Sequence, residues 1–353
     1  MARVGIITFL HNENCGSSLQ AWALQETLRE MGHDPLGLDY RPSTREKVRN
    51  LLTSGNSPAV ALDSLRRKQG RGERNTEGFR RFREEHLTLS APCKDRQALA
   101  RAAADCDVLL CGSDQIWSPE WLNPVYFLNF AAEGQRRVSY APSLGLQVIP
   151  PARKARIMQR LLRPFDALSV REAEGQGIIR ELLPDRDVAV VPDPVLLLSR
   201  EHWLQQVGNP PEKRTMAAYF LKDEPAHWEQ AEQLAREKRL TLVPLAVTPG
   251  GRELAHAIAN PDPVAWLKAL AGAQAVITDS FHGAAMAAIL GKPLTVCRRW
   301  KNDDPASKNS RIDQLMRLAG WTRDGECLPG EQVDQSLARE RERGLDWLRE
   351  AVG

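Results

Sequence analysis

Residues 275–296 read AVITDSFHGAAMAAILGKPLTV, and the order of residue types in this stretch decides the fold. Val276 and Ile277 continue an apolar run typical of a buried strand. Gly283 to Leu290, GAAMAAIL, has the composition of a helix that can pack closely on a sheet. Gly291 ends that helix, and Pro293 bars its continuation before the next apolar run. Strand, turn, helix and strand in succession form the repeat unit of a parallel α/β sheet. His282 falls between the carboxyl end of the first strand and the amino end of the helix, where free backbone N–H groups favour an anion.

The same alternation runs outward in both directions. RVGIITFL (residues 3–10) predicts a first strand and SSLQAWALQETLREMGH a helix with its apolar residues on one side. DPLGLDY, CDVLLCGS, RRVSYAPS, FDALSVRE and DVAVVPDPVLLL are short apolar runs followed by turn residues, with helical spacing in PARKARIMQRLLRPF and AEGQGIIRELL between them. The proline-bearing, charged segment 205–214 predicts a linker. Strand and helix patterns then resume with TMAAYFL, AHWEQAEQLAREKR, LTLVPLAV and PVAWLKALAGA, and SRIDQLMRLAG and ARERERGLDWLREAV close the chain. The expected division is a domain over 1–204, a linker over 205–214, a domain over 215–330 and a C-terminal helix over 331–353. Two such sets imply an α/β protein of two Rossmann-like, doubly wound domains facing a cleft. Ligands bind outside the carboxyl ends of such strands, so the decisive loops are HNENCGS, CGSDQIW, APSLG, VREAEG, PDPV and DSFHG.

Composition narrows the class. The chain has 353 residues, with 48 basic and 45 acidic side chains and a net charge of +3, so nothing marks it as a nucleic-acid binder. The charged stretch RRKQGRGERNTEGFRRFREEH reads as a solvated, partly helical excursion. Six cysteines show no CxxC pair and no metal spacing, and no metal site is expected. The opening MARVGIITFL lacks a signal-peptide layout, and no apolar run reaches the ~18 residues of a membrane span. A cytoplasmic protein without a membrane span is expected, with peripheral membrane contact still open.

The blocks NENCGSSLQAWALQETLREMGH, LLCGSDQIWSP, YFLNF, VSYAPSLG, ALSVREAEG, VPDPVLLL, VITDSFHGAAMAAILGKPL and NSRIDQLMRLAGW resemble, in order, those of the polysaccharide pyruvyl transferase family, over roughly residues 4 to 323. The resemblance implies a two-domain fold like that of GT-B glycosyltransferases, with the acceptor on the N-terminal side and the donor on the C-terminal side. It implies transfer of a pyruvyl group from phosphoenolpyruvate onto two hydroxyls of a saccharide, or of a lipid-linked saccharide, as a cyclic ketal with release of phosphate. Phosphoenolpyruvate is then a donor substrate, and no cofactor is implied. The family's functional histidine and arginine map to His282 and Arg171. Well-studied branches carry an arginine two residues before that histidine, where this chain has Ser280. Another cation must then meet the donor, drawn from Arg298, Arg299, Lys308 and Arg311. Arg299 is the first choice and Arg311 the second, because Arg298 and Arg299 alternate faces at a strand end.

The chemistry assigns roles to the remaining candidates. Phosphoenolpyruvate brings about three negative charges, which call for forked arginines and helix N-termini. Arg171, Ser280, Gly283, Arg299 and Arg311 are the expected donor residues, with an Arg171–Glu172 or Arg171–Glu174 surface pair as the competing reading of Arg171. His282 is suited to act as general acid or as partner of the departing phosphate, since a bound anion favours the imidazolium. Asp279 is expected to cap the helix or orient the ring, with capping favoured. Asp114 and Asp193 are the alternative bases for the sugar hydroxyl, and Trp117 beside Asp114 is a sugar platform or a core residue. Asp193, between two prolines, reads first as a turn residue. Asn14, Gly16 and Ser17 form a loop opening onto a helix N-terminus, suited to an acceptor. Cys15 there could be argued as a nucleophile, but ketal formation needs no covalent enzyme step. Competing readings are a nucleotide-sugar glycosyltransferase, a family member with a non-polysaccharide acceptor, and a non-catalytic glycan-binding protein.

Overall fold

The structure, a computed structural model, describes residues 1–53, 75–146, 148–300, 309–321 and 326–353. Strands β1 (Arg3–Ile7), β2 (Asp34–Gly37), β3 (Val108–Cys111) and β4 (Arg136–Ser139) form one sheet in the order β2-β1-β3-β4. All its pairs are parallel, with Val4 beside both Pro35 and Val108, and Val108 beside Arg136. The pair β5 (Ser169–Val170) and β6 (Ala189–Val190) follows, bridged to β4 through Val138 and Ala167. Every residue of β3 is buried, which is why VLLC reads as an unbroken apolar run.

The second sheet comprises β7 (Thr215–Tyr219), β8 (Thr241–Ala246), β9 (Ile258–Ala259), β10 (Ala275–Thr278), β11 (Leu294–Val296) and β12 (Glu326–Cys327), in the order β12-β11-β10-β7-β8-β9. It is parallel except for β12, which runs antiparallel on β11. The short strands β9 and β12 were not anticipated from sequence, since neither has a periodic pattern of its own.

The domains share one apolar core where they meet. The Cys15–Glu30 helix is buried on nearly all sides. Its Leu19 and Trp22 belong to the same cluster as Trp203, Trp266 and Ala284, with Trp22 and Trp203 rings 5.1 Å apart. The Glu331–Val352 helix ties both halves: Val333 and Leu337 pack in that shared cluster, while Leu348, Ala351 and Val352 reach the core containing Val4, Val108 and Val138. Of the charged excursion, residues 66–74 lie outside the described residues. Its remainder is the Thr76–His86 helix, capped by Asn75 and buried through Phe79 and Phe82. No helix among the described residues is long and apolar enough to cross a membrane.

Candidate functional site

The carboxyl ends of β1 and β3 supply one wall. Asn14 is the N-cap of the Cys15–Glu30 helix, its Oδ1 accepting the Ser17 N–H at 3.0 Å. Ser17 Oγ donates to Asp114 Oδ2 at 2.5 Å. Gln20, fully buried, donates from Nε2 to Thr8 Oγ1 at 3.0 Å and accepts the Ser113 N–H at 3.0 Å, locking the β1 and β3 loops to the helix. Gly112, with φ +133°, lies where a Cβ would sit 1.9 Å from the Tyr140 carbonyl oxygen, so only glycine passes here to present Asp114. Asn14 Oδ1 and Ser17 Oγ, in residues expected to face an acceptor, are engaged within the protein.

The opposite wall comes from β10. The helix after it spans Phe281–Ile289 and so opens two residues earlier than the glycine at 283. Its cap is Ser280, whose Oγ accepts the Gly283 N–H at 3.4 Å. This corrects the cap assigned to Asp279. Asp279 instead accepts the Leu221 N–H at 2.8 Å and the Lys222 N–H at 3.1 Å, fixing the loop after β7. Gly283 fits closely against Thr278, and its N–H is already bound. The N–H groups of Phe281 and His282, first in the helix, have no intrahelical partner.

His282 meets the first domain directly. A Cβ on Gly16 would lie 2.2 Å from its Nδ1 and 2.3 Å from its Cγ. The two helix N-termini therefore converge on one buried imidazole, and Gly16 is the residue that permits the approach. On the other side, His282 Nε2 is 3.6 Å from Asp193 Oδ2.

Asp193, which the sequence offers as a turn residue first and as an alternative base second, lies within the candidate site. It does open a turn, accepting the Val195 N–H at 3.2 Å, but its Oδ2 also pairs with Arg171 Nη1 and accepts from Ser113 Oγ at 3.1 Å. Burial alone would raise its carboxyl; the nearby charges of His282 and Arg171, with the Arg171 hydrogen bond, outweigh burial and hold it well below the usual carboxylate range. Only its place between two prolines hinted at a rigidly presented group.

Arg171 is buried rather than part of a surface pair. Besides Asp193 it faces Glu172 at 3.9 Å and lies 4.7 Å above the Phe281 ring, a residue of the other domain. Burial opposes its charge, but Asp193, Glu172 and Asp114 together raise its pKa. Glu172 pairs with Ser143, and burial raises its carboxyl despite Arg171 nearby.

Past β11, Arg298 turns away to Asp313 at 2.7 Å, while Arg299 points inward, 3.8 Å from Asp279 and stacked 4.6 Å from the Trp300 ring. Burial lowers the Arg299 pKa, partly offset by Asp279. Arg311, on the Ser310–Leu318 helix, is buried without an ion pair among the described residues. Burial and then the neighbouring Arg171 push it down to about 10. Gln314, one turn further along, spans the domains: its Nε2 donates to the Arg171 carbonyl at 3.0 Å and its Oε1 accepts the Ala173 N–H at 3.3 Å. Lys308 lies outside the described residues.

Among the described residues, four buried guanidinium nitrogens, Arg171 Nε and Nη2, Arg299 Nε and Arg311 Nε, have no hydrogen-bond partner, and neither does His282 Nε2. Buried donors left unmade cost free energy, so this arrangement suits an anion that accepts from them.

Two sequence candidates fall outside the site. Trp117 is fully buried, stacked on Phe127 at 5.1 Å, with its Nε1 donating to the Tyr126 carbonyl, so it is core and offers no face to a sugar. Cys15 is a buried thiol donating to the Pro261 carbonyl at 3.4 Å; burial, then Asp262, push it well up, which removes the thiolate a nucleophile needs.

Comparison with known proteins bears on both fold and family. No curated protein matches the sequence. Among solved structures, the UDP-GlcNAc 2-epimerase of Neisseria meningitidis bound to UDP-GlcNAc is similar over 99% of this chain and 99% of its own, at 12% identity and a TM-score of 0.53. A Listeria monocytogenes protein assigned as a UDP-N-acetylglucosamine 2-epimerase is similar over 100% of this chain and 92% of its own, at 11% identity and a TM-score of 0.50. At such identities the likeness shows the fold alone, which is GT-B. The sequence itself matches the polysaccharide pyruvyl transferase family over residues 14–300, a span that includes Asp114, Arg171, Asp193, His282 and Arg299 and ends before Arg311 and Gln314. The chain belongs to the polysaccharide pyruvyl transferase family.

Proposed function

We propose that the site binds phosphoenolpyruvate and transfers its pyruvyl group to two hydroxyls of a saccharide, free or lipid-linked, as a ketal with release of phosphate. The observation that carries this reading is the set of buried N–H groups on Arg171, Arg299 and Arg311 that have no partner among the described residues, together with His282 Nε2. A ligand with about three negative charges in a small volume matches such a set. The setting implied by the family resemblance is cytoplasmic assembly of an exopolysaccharide or cell-wall polymer.

In this mechanism His282 delivers a proton to C3 of the donor as C2 gains oxocarbenium character. The first sugar hydroxyl bonds to C2 and gives its proton to Asp114, which Ser17 holds in place. Phosphate then leaves C2 with the C–O bonding pair, stabilised by the guanidinium groups. The second hydroxyl takes its place at C2, closing the ketal, and gives its proton to His282, restoring the imidazolium, while the proton on Asp114 leaves with the phosphate. Asp193 holds Arg171 and His282 in register through one carboxylate oxygen.

Calorimetry with phosphoenolpyruvate against nucleotide sugars, followed by a phosphate-release assay with saccharide acceptors, tests the reading. Binding of a nucleotide sugar with indifference to phosphoenolpyruvate would replace it with a glycosyltransferase. Arg171→Lys keeps the charge but loses the planar fork, so donor affinity should weaken by about 1–3 kcal/mol in the same calorimetry. Unchanged affinity would remove Arg171 from donor binding.

Gly16→Ala tests the contact between the domains. The new methyl group would lie 2.2 Å from His282 Nδ1, so the imidazole must shift by roughly 1 Å to reach ordinary contact. Misplacement on that scale costs on the order of 10²-fold in rate. Phosphate release should fall accordingly, and full activity would mean that His282 works from another position.

A further inference from the structure

The loop after β4 and the helix that follows form a surface the site does not use. From Gly134 to Phe165 the chain contains no acidic residue, while Arg153, Lys154, Arg156, Arg160 and Arg163 are concentrated in and just after the Ala152–Leu162 helix. Arg153, Arg156, Arg160 and Arg163 recur at helical spacing and are all exposed, so they share one face. None of the four forms an ion pair among the described residues, and the side-chain hydrogen bond of Arg156 goes to its own helix at the Ala152 carbonyl. The opposite face packs inward through Met158 and Leu162. Just before the helix, Val148 and Ile149 are 57% and 45% exposed, well beyond what aliphatic side chains show in a core. Lys154 Nζ bonds the Pro119 carbonyl, which places the helix start beside Trp121, itself 42% exposed. Glu120 is the acid that acts on Lys154.

We infer that this face docks on an anionic lipid bilayer, with Val148 and Ile149 entering the interface and the arginine face meeting headgroups. An aligned basic face with no ion pair among the described residues attracts an anionic surface, and exposed aliphatic groups just before it insert at the acyl boundary. A nucleic acid would use the arginines but give the aliphatic pair no partner, so the bilayer fits both features. The surface also lies at the rim of the site. The loop that exposes Val148 begins at Pro142 and Ser143, and these contact Asp114, Arg171 and Glu172. A lipid-borne acceptor would thus arrive beside Asp114. That consequence rests on the acceptor reading above, whereas docking itself does not.

The test is co-sedimentation of the full-length protein with phosphatidylcholine vesicles, with and without phosphatidylglycerol. Binding is expected only with the anionic lipid and should decline as salt is raised. Each Arg→Gln change at 153, 156, 160 and 163 should weaken it about fivefold, and the four together on the order of a few hundredfold. Val148→Asp with Ile149→Asp, which leaves the arginines intact, should also weaken it, whereas loss through the arginines alone would favour a purely ionic contact and overturn insertion. Failure of the native protein to bind anionic vesicles, or equal binding by the four-glutamine variant, would overturn docking, as would RNA binding with indifference to vesicles. Donor calorimetry on the same variants should be unchanged, so failure of docking and failure of the donor reading are separately visible.

Discussion

Replacing His282 by alanine should lower phosphate release by about 10²–10⁴-fold, the contribution of a positioned general acid. The imidazole is held between Gly16 on one helix N-terminus and Asp193 on the other side, and no other histidine shares that space. The fold should survive, because the shared core rests on Leu19, Trp22, Trp203, Trp266 and the alanines of the Phe281–Ile289 helix rather than on this ring. Far-ultraviolet circular dichroism and a thermal melt check that condition. His282→Gln fills the same space with a hydrogen-bonding amide that cannot deliver a proton, so it should fold at least as well and remain slow. Near-normal phosphate release by either variant would remove His282 from the proton transfer.

Asp193→Ala should destabilise the protein by roughly 3–5 kcal/mol, measured by denaturant unfolding, because it leaves the Arg171 guanidinium buried without its carboxylate. The pH dependence supplies an independent check. The folded-state value of Asp193 lies below its unfolded value, which is about 3.9 for an ordinary aspartate. Its contribution is therefore fully present above that value and is lost as pH falls through it toward the depressed folded value. The stability gap between the native protein and Asp193→Ala should be constant near neutrality and close in acid. A gap that widened in acid would mean that Asp193 is not the charged partner of Arg171 and His282.

These two residues stood very differently in the sequence. His282 was legible because it sits at a strand-to-helix junction, a position where local pattern and ligand binding coincide. Asp193 was legible only as a turn residue or an alternative base, because a carboxylate between prolines has a sufficient local explanation and its partners Arg171 and His282 are 22 and 89 positions away in the chain. Asp279 and Ser280 show the opposite error. Both can cap a helix, and which one does depends on where the first turn begins, a boundary that periodicity places only to within a residue or two. Trp117 and Trp121 present the same problem for side chains. Two indoles four residues apart are equivalent in composition, yet one is stacked on Phe127 in the core and the other is at the surface.

By itself the sequence determined the parallel α/β class with Rossmann-like topology and the family, because strand and helix periods and turn residues act over a few neighbouring positions. Only the tertiary structure decided that Gly16 lies under His282, that Asp193 joins Arg171 to His282, and that Arg299 and Arg311 turn inward while Arg298 turns out. Those facts depend on how two separately patterned domains pack against each other. That packing is set by apolar area buried at their junction, a quantity summed over distant segments that no local window of sequence contains.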